Sequence, residues 1–83
     1  MDLALSHDLT VPVGAHRMGT TGVHVAIPSG HVGMLFVRSS TGIKRNLVLS
    51  NGTGIIDSGF RGQIKISLHN TGDKTQHLSL IHI

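Results

Sequence analysis

The sequence predicts an all-β fold, and two observations carry that prediction. No stretch of ten residues keeps the hydrophobic period of an α-helix, whereas residues 22–27 alternate, with Val23, Val25 and Ile27 on one face. Short apolar runs are separated throughout by turns rich in Gly, Pro, Asn and Ser. Many short strands joined by such turns are typical of a β-sandwich or barrel.

The same patterns place the other elements along the chain. The continuous apolar run 32–37 is suited to a strand buried on both faces, and residues 43–46 are compatible with one helical turn. Three glycines bracket segment 54–62, which predicts a tight hairpin, and 70–74 reads as a polar turn before a last strand. The remaining predicted strands are 8–13, 16–21, 47–49 and 63–68.

Length and composition restrict the classes of function. The chain has 83 residues and no cysteine, so oligomerisation rather than disulfides is expected to supplement a small core. A formal net charge of +3 suits an anionic partner. The lack of a basic run and the presence of only two aromatic residues argue against a nucleic-acid partner. No apolar run could span a membrane and no signal peptide opens the chain, so we expect a cytoplasmic protein without a membrane partner.

Segment 54–62 is the first candidate for a functional site. It holds Asp57 on a turn between two extended runs, and a carboxylate on such a support is suited to general-base catalysis. A simpler interpretation is that Asp57 caps the turn and that Phe60 fills the edge of the core.

Arg38-Ser39-Ser40 and Asn51 are further candidates. A guanidinium beside two hydroxyls suits a phosphate clamp, and an arginine that leaves a buried strand needs an anionic partner. The Asn51 amide can both donate and accept hydrogen bonds, so it is suited to recognise a polar edge of a ligand. Both segments also fit ordinary surface turns. Seven histidines are dispersed without a compact ligand pattern, so no protein-bound zinc is expected.

Several of these pieces together resemble the family of trimeric dUTP diphosphatases (dUTPases). Gly54-x-Ile56-Asp57-x-Gly59-Phe60-Arg61-Gly62 resembles the third signature motif, in which tyrosine usually stands at the Phe60 position. Arg38-Ser39-Ser40 resembles the second motif, and Asp2-Leu3 the tail of the first. Short motifs carry weight when they occur in order at family spacing. The resemblance implies a β-clip fold, a distorted jelly roll of short strands, and a homotrimer with active sites shared between subunits.

The resemblance also assigns roles to residues. It implies that Asp57 activates a water that attacks the α-phosphorus of dUTP, giving dUMP and pyrophosphate. Mg²⁺ is bound mainly through the substrate phosphates, and Asp2 is the candidate for orienting its water shell. The ring of Phe60 packs against deoxyribose. The other implied substrate-binding residues are Arg38, Ser39 and Ser40 for the phosphates, and Asn51, Ile55, Ile56 and Lys65 for the uracil.

The sequence also departs from the family. The fourth motif has only a poor counterpart in Gly72-Asp73-Lys74, and the glycine-rich fifth motif is absent. We therefore expect residues 1–77 to be an incomplete dUTPase-like domain with motifs one to three, and this truncated chain to be inactive by itself if those motifs are essential. The last six residues, 78–83, match a translated transposon-end adapter and are expected to be a non-native tail.

Two alternatives remain open. A dCTP deaminase shares the fold and the Arg-Ser-Ser motif, but it requires a glutamate ten residues beyond the motif aspartate, where this chain has Ser67. A phage-type relative that uses the fold for protein binding, without catalysis, is the other alternative.

Overall fold

Short strands supply most of the regular structure. The computed structural model describes residues 3–38 and 40–78, and its organisation confirms the all-β prediction. In chain order the strands are β1 Leu9–Val11, β2 His16–Thr20, β3 Gly33–Leu35, β4 Leu47–Leu49, β5 Gly54–Ile56, β6 Lys65–Asn70 and β7 Gln76–Leu78. A five-residue π-helical segment, Ser40–Lys44, lies between β3 and β4.

The strands pair antiparallel in three small sheets. β6 is the centre of the largest, with β2 on one side and β4 on the other. The other two sheets are the pairs β1–β7 and β3–β5. β5 and β6 flank the predicted hairpin but belong to different sheets, so the prediction of a hydrogen-bonded hairpin at 54–62 is wrong. The segment is instead a turn that connects two sheets, because each flanking strand has found another partner.

The hydrophobic core follows from the alternation along β6. Ile66 and Leu68 are buried, whereas Lys65 faces solvent. These side chains pack with a set of apolar residues contributed by β1, β4, β7 and the chain before β1: Leu5, Val11, Leu47, Leu49 and Leu78. A strand with one buried face contributes every second side chain to the core, which is why the alternation at 63–68 predicted this element correctly.

Asn70 is the polar residue of this core. It ends β6 and is fully buried, although the sequence assigned it to a polar surface turn. Its side-chain amide nitrogen donates to the carbonyl oxygens of Val11 and Lys74, at 2.9 and 2.8 Å, and its oxygen accepts from the Gly72 amide at 2.9 Å. A buried amide is tolerated when its hydrogen bonds are satisfied, and here it connects the core to the following turn.

Two predicted strands differ from the structure. Residues 22–27 form no ladder: Val23 accepts one backbone bond from Ile64, and both edges of β6 are already taken by β2 and β4. The run 32–37 is not buried on both faces, because its strand β3 lies in a two-stranded sheet with one open side. Val32, Met34 and Phe36 are each 58% exposed on that side.

The remaining boundaries are close to expectation. Strands within 8–13, 16–21 and 47–49 are confirmed as β1, β2 and β4. The helical turn begins at Ser40 rather than at Ile43, since the amides of Thr41 and Gly42 both donate to the Arg38 carbonyl.

The C-terminal part of the described chain ends in β7. Leu78 pairs with Leu9 and is buried, and the rest of the predicted tail lies outside the described residues, so its origin remains a prediction. Within residues 3–38 and 40–78, no helix is both long and apolar enough to cross a membrane.

Candidate functional site

A cavity of about 460 Å³ opens where β5, the turn after it and the start of β6 meet. This volume is in the range of small-molecule sites. Asn51, Ile55, Ile56, Asp57, Phe60 and Lys65 all line it. The structure therefore brings together six of the residues that the sequence singled out. Four of them, Ile55, Ile56, Asp57 and Phe60, come from β5 or the turn after it, so their proximity follows from the chain order.

Asp57 lies at the start of a braced turn. The Phe60 amide donates to the Asp57 carbonyl at 3.0 Å, which closes the turn. The Arg61 guanidinium then donates to the carbonyl oxygens of Ser58 and Phe60, at 2.7 and 2.9 Å. The side chain of Asp57 is exposed at the cavity, and the turn uses only its main-chain oxygen. The carboxylate thus sits on a fixed backbone while it remains accessible to water and ligand.

Phe60 forms a wall of the cavity rather than part of the core. It is 43% exposed and does not belong to the core cluster, so the interpretation of Phe60 as a core residue is wrong. Its ring lies over Gly62: a Cβ on that residue would come within 2.9 Å of the Phe60 Cζ. A side chain at position 62 would therefore require the Phe60 ring to shift. The ring offers an apolar surface at the mouth of the cavity.

Asn51 and Lys65 also line the cavity, and a chain of polar contacts lies next to Asn51 in the sequence, at Ser50. Ser50 donates its backbone amide to the Ser67 carbonyl at 2.8 Å, and the two hydroxyls are 2.8 Å apart. The Nδ1 atom of His16 lies 2.7 Å from the Ser50 hydroxyl. These contacts fix the residue before Asn51 on the face of the β2–β6–β4 sheet. They also occupy Ser67, the position where a dCTP deaminase requires glutamate.

Arg38 and Ser40, two of the residues predicted to form a phosphate clamp, lie outside this cavity. Arg38 is exposed between β3 and the π-helical segment, and Ser40, the first residue of that segment, is also exposed. Neither lines the cavity that contains Asp57. Ser39 and Asp2 lie outside the described residues. One chain therefore contributes the carboxylate, the amide and the aromatic wall, but not the arginine.

Sequence reasoning missed part of the lining. Gln63 contributes a polar group to the cavity wall, and Leu35 and Ile64 contribute apolar ones. Gln63 had a weak signal, since it opens the alternating run directly after the motif glycine. Leu35 had none, because its place depends on the pairing of β3 with β5, where it is the partner of Gly54.

Protein side chains alone do not build a metal site in the described part of the chain. Among residues 3–38 and 40–78, no three His, Asp or Glu side chains converge as metal ligands. Asp57 is the carboxylate that lines the cavity. Such a donor set suits a cation that keeps its waters and is carried by a ligand's oxygens, as Mg²⁺ commonly is.

Fold and cavity together define a small all-β domain with one composite site of polar and apolar groups. The sequence profile of the dUTPase family matches residues 1–79. The chain belongs to the dUTPase family.

Relatives and solved structures agree with this assignment. The deoxyuridine 5'-triphosphate nucleotidohydrolase of Cutibacterium acnes is 44% identical over 70 residues, which cover 84% of this chain and 46% of that protein. The protein of the same name from Escherichia phage T5 is 48% identical over 65 residues, which cover 78% of this chain and 43% of that protein. The crystal structure of the Streptococcus mutans dUTPase superposes with a TM-score of 0.85 at 33% identity, covering 95% of this chain and 66% of that one. The chain spans about half the length of the curated relatives it matches.

Proposed function

We propose that the protein containing this chain hydrolyses dUTP to dUMP and pyrophosphate, with Asp57 as the general base. The observation that supports this most is the convergence of Asp57, Asn51, Phe60 and Lys65 on one cavity. The names of the relatives support the same substrate. A carboxylate held by its backbone at the edge of an otherwise largely apolar cavity is suited to accept a proton from water.

The reaction follows from these groups. Asp57 accepts a proton from a water molecule, whose oxygen attacks the α-phosphorus of dUTP. A P–O bond forms at that phosphorus while the bond to the oxygen that bridges to the β-phosphorus breaks, and pyrophosphate leaves. Asn51 pairs with the uracil edge, since its amide both donates and accepts. The ring of Phe60 packs against the sugar and shields that side from water.

The phosphates are held by a clamp from a second subunit. Arg38, Ser39 and Ser40 supply a guanidinium and two hydroxyls, which suit the oxygens of a triphosphate. The exposure of Arg38 outside its own cavity supports this role across a subunit boundary. Asp2 is the candidate for orienting the water shell of a Mg²⁺ ion held mainly by the substrate phosphates, and such an ion would neutralise the phosphate charge.

An exposed apolar face supports a homotrimer with shared sites. Met34 of β3 and Ile55 of β5 are direct cross-strand partners and are 58% and 56% exposed. Val32 and Phe36 flank Met34 two residues away on either side and are equally open. An exposed cluster of this kind is typical of a surface that another protein covers. Because Arg38 follows Phe36 by two residues, a second copy on this face would bring its arginine towards a neighbour's cavity.

Product analysis tests the proposed reaction. We expect the protein to release pyrophosphate and dUMP from dUTP in the presence of Mg²⁺, and to leave dCTP unchanged. Anion-exchange chromatography detects dUMP and pyrophosphate, and a separate assay detects any ammonia released from dCTP. Ammonia from dCTP would instead identify a deaminase, and a folded protein that binds neither nucleotide would support an interaction module and contradict the proposal.

A further inference from the structure

The turn that carries Asp57 and Phe60 has little sheet support of its own. β5 pairs only with β3, and β6 begins after the turn, at Lys65. Asp57, Gly59, Phe60, Arg61 and Gly62 are all exposed. The Arg61 guanidinium closes the turn on itself but does not fix it to the rest of the molecule. The position of the wall over the cavity must therefore depend on links to another segment.

Those links come from residues 21–24, a segment that forms no strand. The backbone contributes part of the connection: Ile64 donates to the Val23 carbonyl at 2.8 Å, and the buried Thr21 hydroxyl donates to the Ile64 carbonyl at 2.8 Å. The Thr21 hydroxyl also accepts from the Val23 amide at 3.1 Å, which fixes the segment itself. These bonds hold the end of the turn where it enters β6.

Two side chains extend the connection into the turn. The Gly22 amide donates to the Oε1 atom of Gln63 at 2.6 Å. Nδ1 of His24 donates to the Arg61 carbonyl at 2.9 Å. The first bond involves a residue that lines the cavity, and the second lies next to the Phe60–Gly62 contact. Both reach the arm of the turn that carries Phe60, whereas Asp57 is attached directly to β5.

We propose that Gln63 and His24 are positioning residues, which hold the Phe60 wall over the cavity and thereby set the affinity for the nucleotide. Neither has to touch the reacting atoms. A hydrogen bond from an exposed side chain contributes modestly to overall stability, but losing it frees a turn that has few other constraints. Because the two bonds support the Phe60 arm rather than Asp57, their loss is expected to weaken binding more than the chemical step.

Hydrogen exchange tests the positioning without any nucleotide. In the double variant Gln63→Ala, His24→Ala we expect the Phe60 amide, which donates to the Asp57 carbonyl within the turn, to exchange roughly tenfold faster than in the wild type, while β6 amides keep their protection. Unchanged exchange in the turn would overturn the proposal. A loss of protection in β6 as well would also overturn it, since the residues would then support the fold rather than the turn.

Kinetics gives the second readout, and this part rests on the proposed function. We expect KM for dUTP to rise roughly tenfold in the double variant and kcat to change less than about threefold, because binding energy made equally in ground and transition states changes KM alone. His24→Asn retains a side-chain N–H donor for the Arg61 carbonyl and should keep KM near the wild-type value, since His24 does not line the cavity. His31→Ala is the matched control, since the His31 side chain bonds to the nearby Ser29 carbonyl at 3.3 Å and does not line the cavity.

The outcomes separate the two proposals. If His24→Asn raises KM as much as His24→Ala, the bond to the Arg61 carbonyl is not what positions the wall, and the inference fails. If kcat falls as far as kcat/KM, the residues act on the chemical step and the inference also fails. If the wild-type protein neither binds nor hydrolyses dUTP, the proposed function fails, while hydrogen exchange still decides whether these side chains hold the turn.

Discussion

Replacing Asp57 with asparagine is expected to reduce kcat for dUTP hydrolysis roughly 10²–10⁴-fold, the usual contribution of a general base. The amide has the shape of the carboxylate but cannot accept the proton of the attacking water. Because the turn uses only the main-chain oxygen of Asp57, the fold and the cavity should be preserved. Single-turnover measurements with dUTP give the rate constant of the chemical step, and a binding titration gives the Kd for dUTP.

The binding titration makes this test specific. We expect the Kd for dUTP to change less than about threefold in Asp57→Asn, since the lost interaction belongs to the transition state. Asp73→Asn is a suitable control, because Asp73 is an exposed carboxylate that does not line the cavity. A normal kcat in Asp57→Asn would show that another group activates the water.

Replacing Asn70 with alanine is expected to give the largest loss of stability. The substitution removes three hydrogen bonds of a fully buried side chain; the bond to the Val11 carbonyl is buried, and those to the Lys74 carbonyl and the Gly72 amide are part-buried. A buried group left unsatisfied costs about 1–3 kcal/mol and an ordinary hydrogen bond about 1 kcal/mol, so we expect the free energy of unfolding to fall by roughly 3 kcal/mol. In a chain of this size that is a large share of the total.

Urea denaturation measures this change. Thr75→Ala lies in the same connection between β6 and β7 but at an exposed position, so it should alter the free energy of unfolding by less than about 0.5 kcal/mol. Equal stability of Asn70→Ala and the wild type would mean that the buried amide does not connect the core to the turn.

The sequence predicted the strands and the site where the information was local. β6 was predictable because its alternation is a property of consecutive residues, and Ile66 and Leu68 are buried as that pattern requires. The cavity was predictable in part because Asn51 and Asp57 lie within a few residues of each other on one turn-strand-turn unit. Residues so close in sequence stay close in space whichever partners the flanking strands find.

The pairing of distant segments could not be predicted from the sequence. Nothing in the apolar run around Met34 indicates that its strand pairs with β5 and leaves one face open. The Gly22–Gln63 bond joins residues 41 positions apart, and only the fold brings them together. Asn70 was assigned to a surface turn because asparagine favours turns, but the core supplies three partners that outweigh this preference.

Mixed assemblies test most directly whether Asp57 of one subunit acts with Arg38 of another. Asp57→Asn and Arg38→Ala chains, each inactive alone, are unfolded together in equal amounts and refolded. If every site combines the two residues from different copies, random assembly should restore about a quarter of the wild-type dUTP hydrolysis. A mixture no more active than its two components would contradict a shared site.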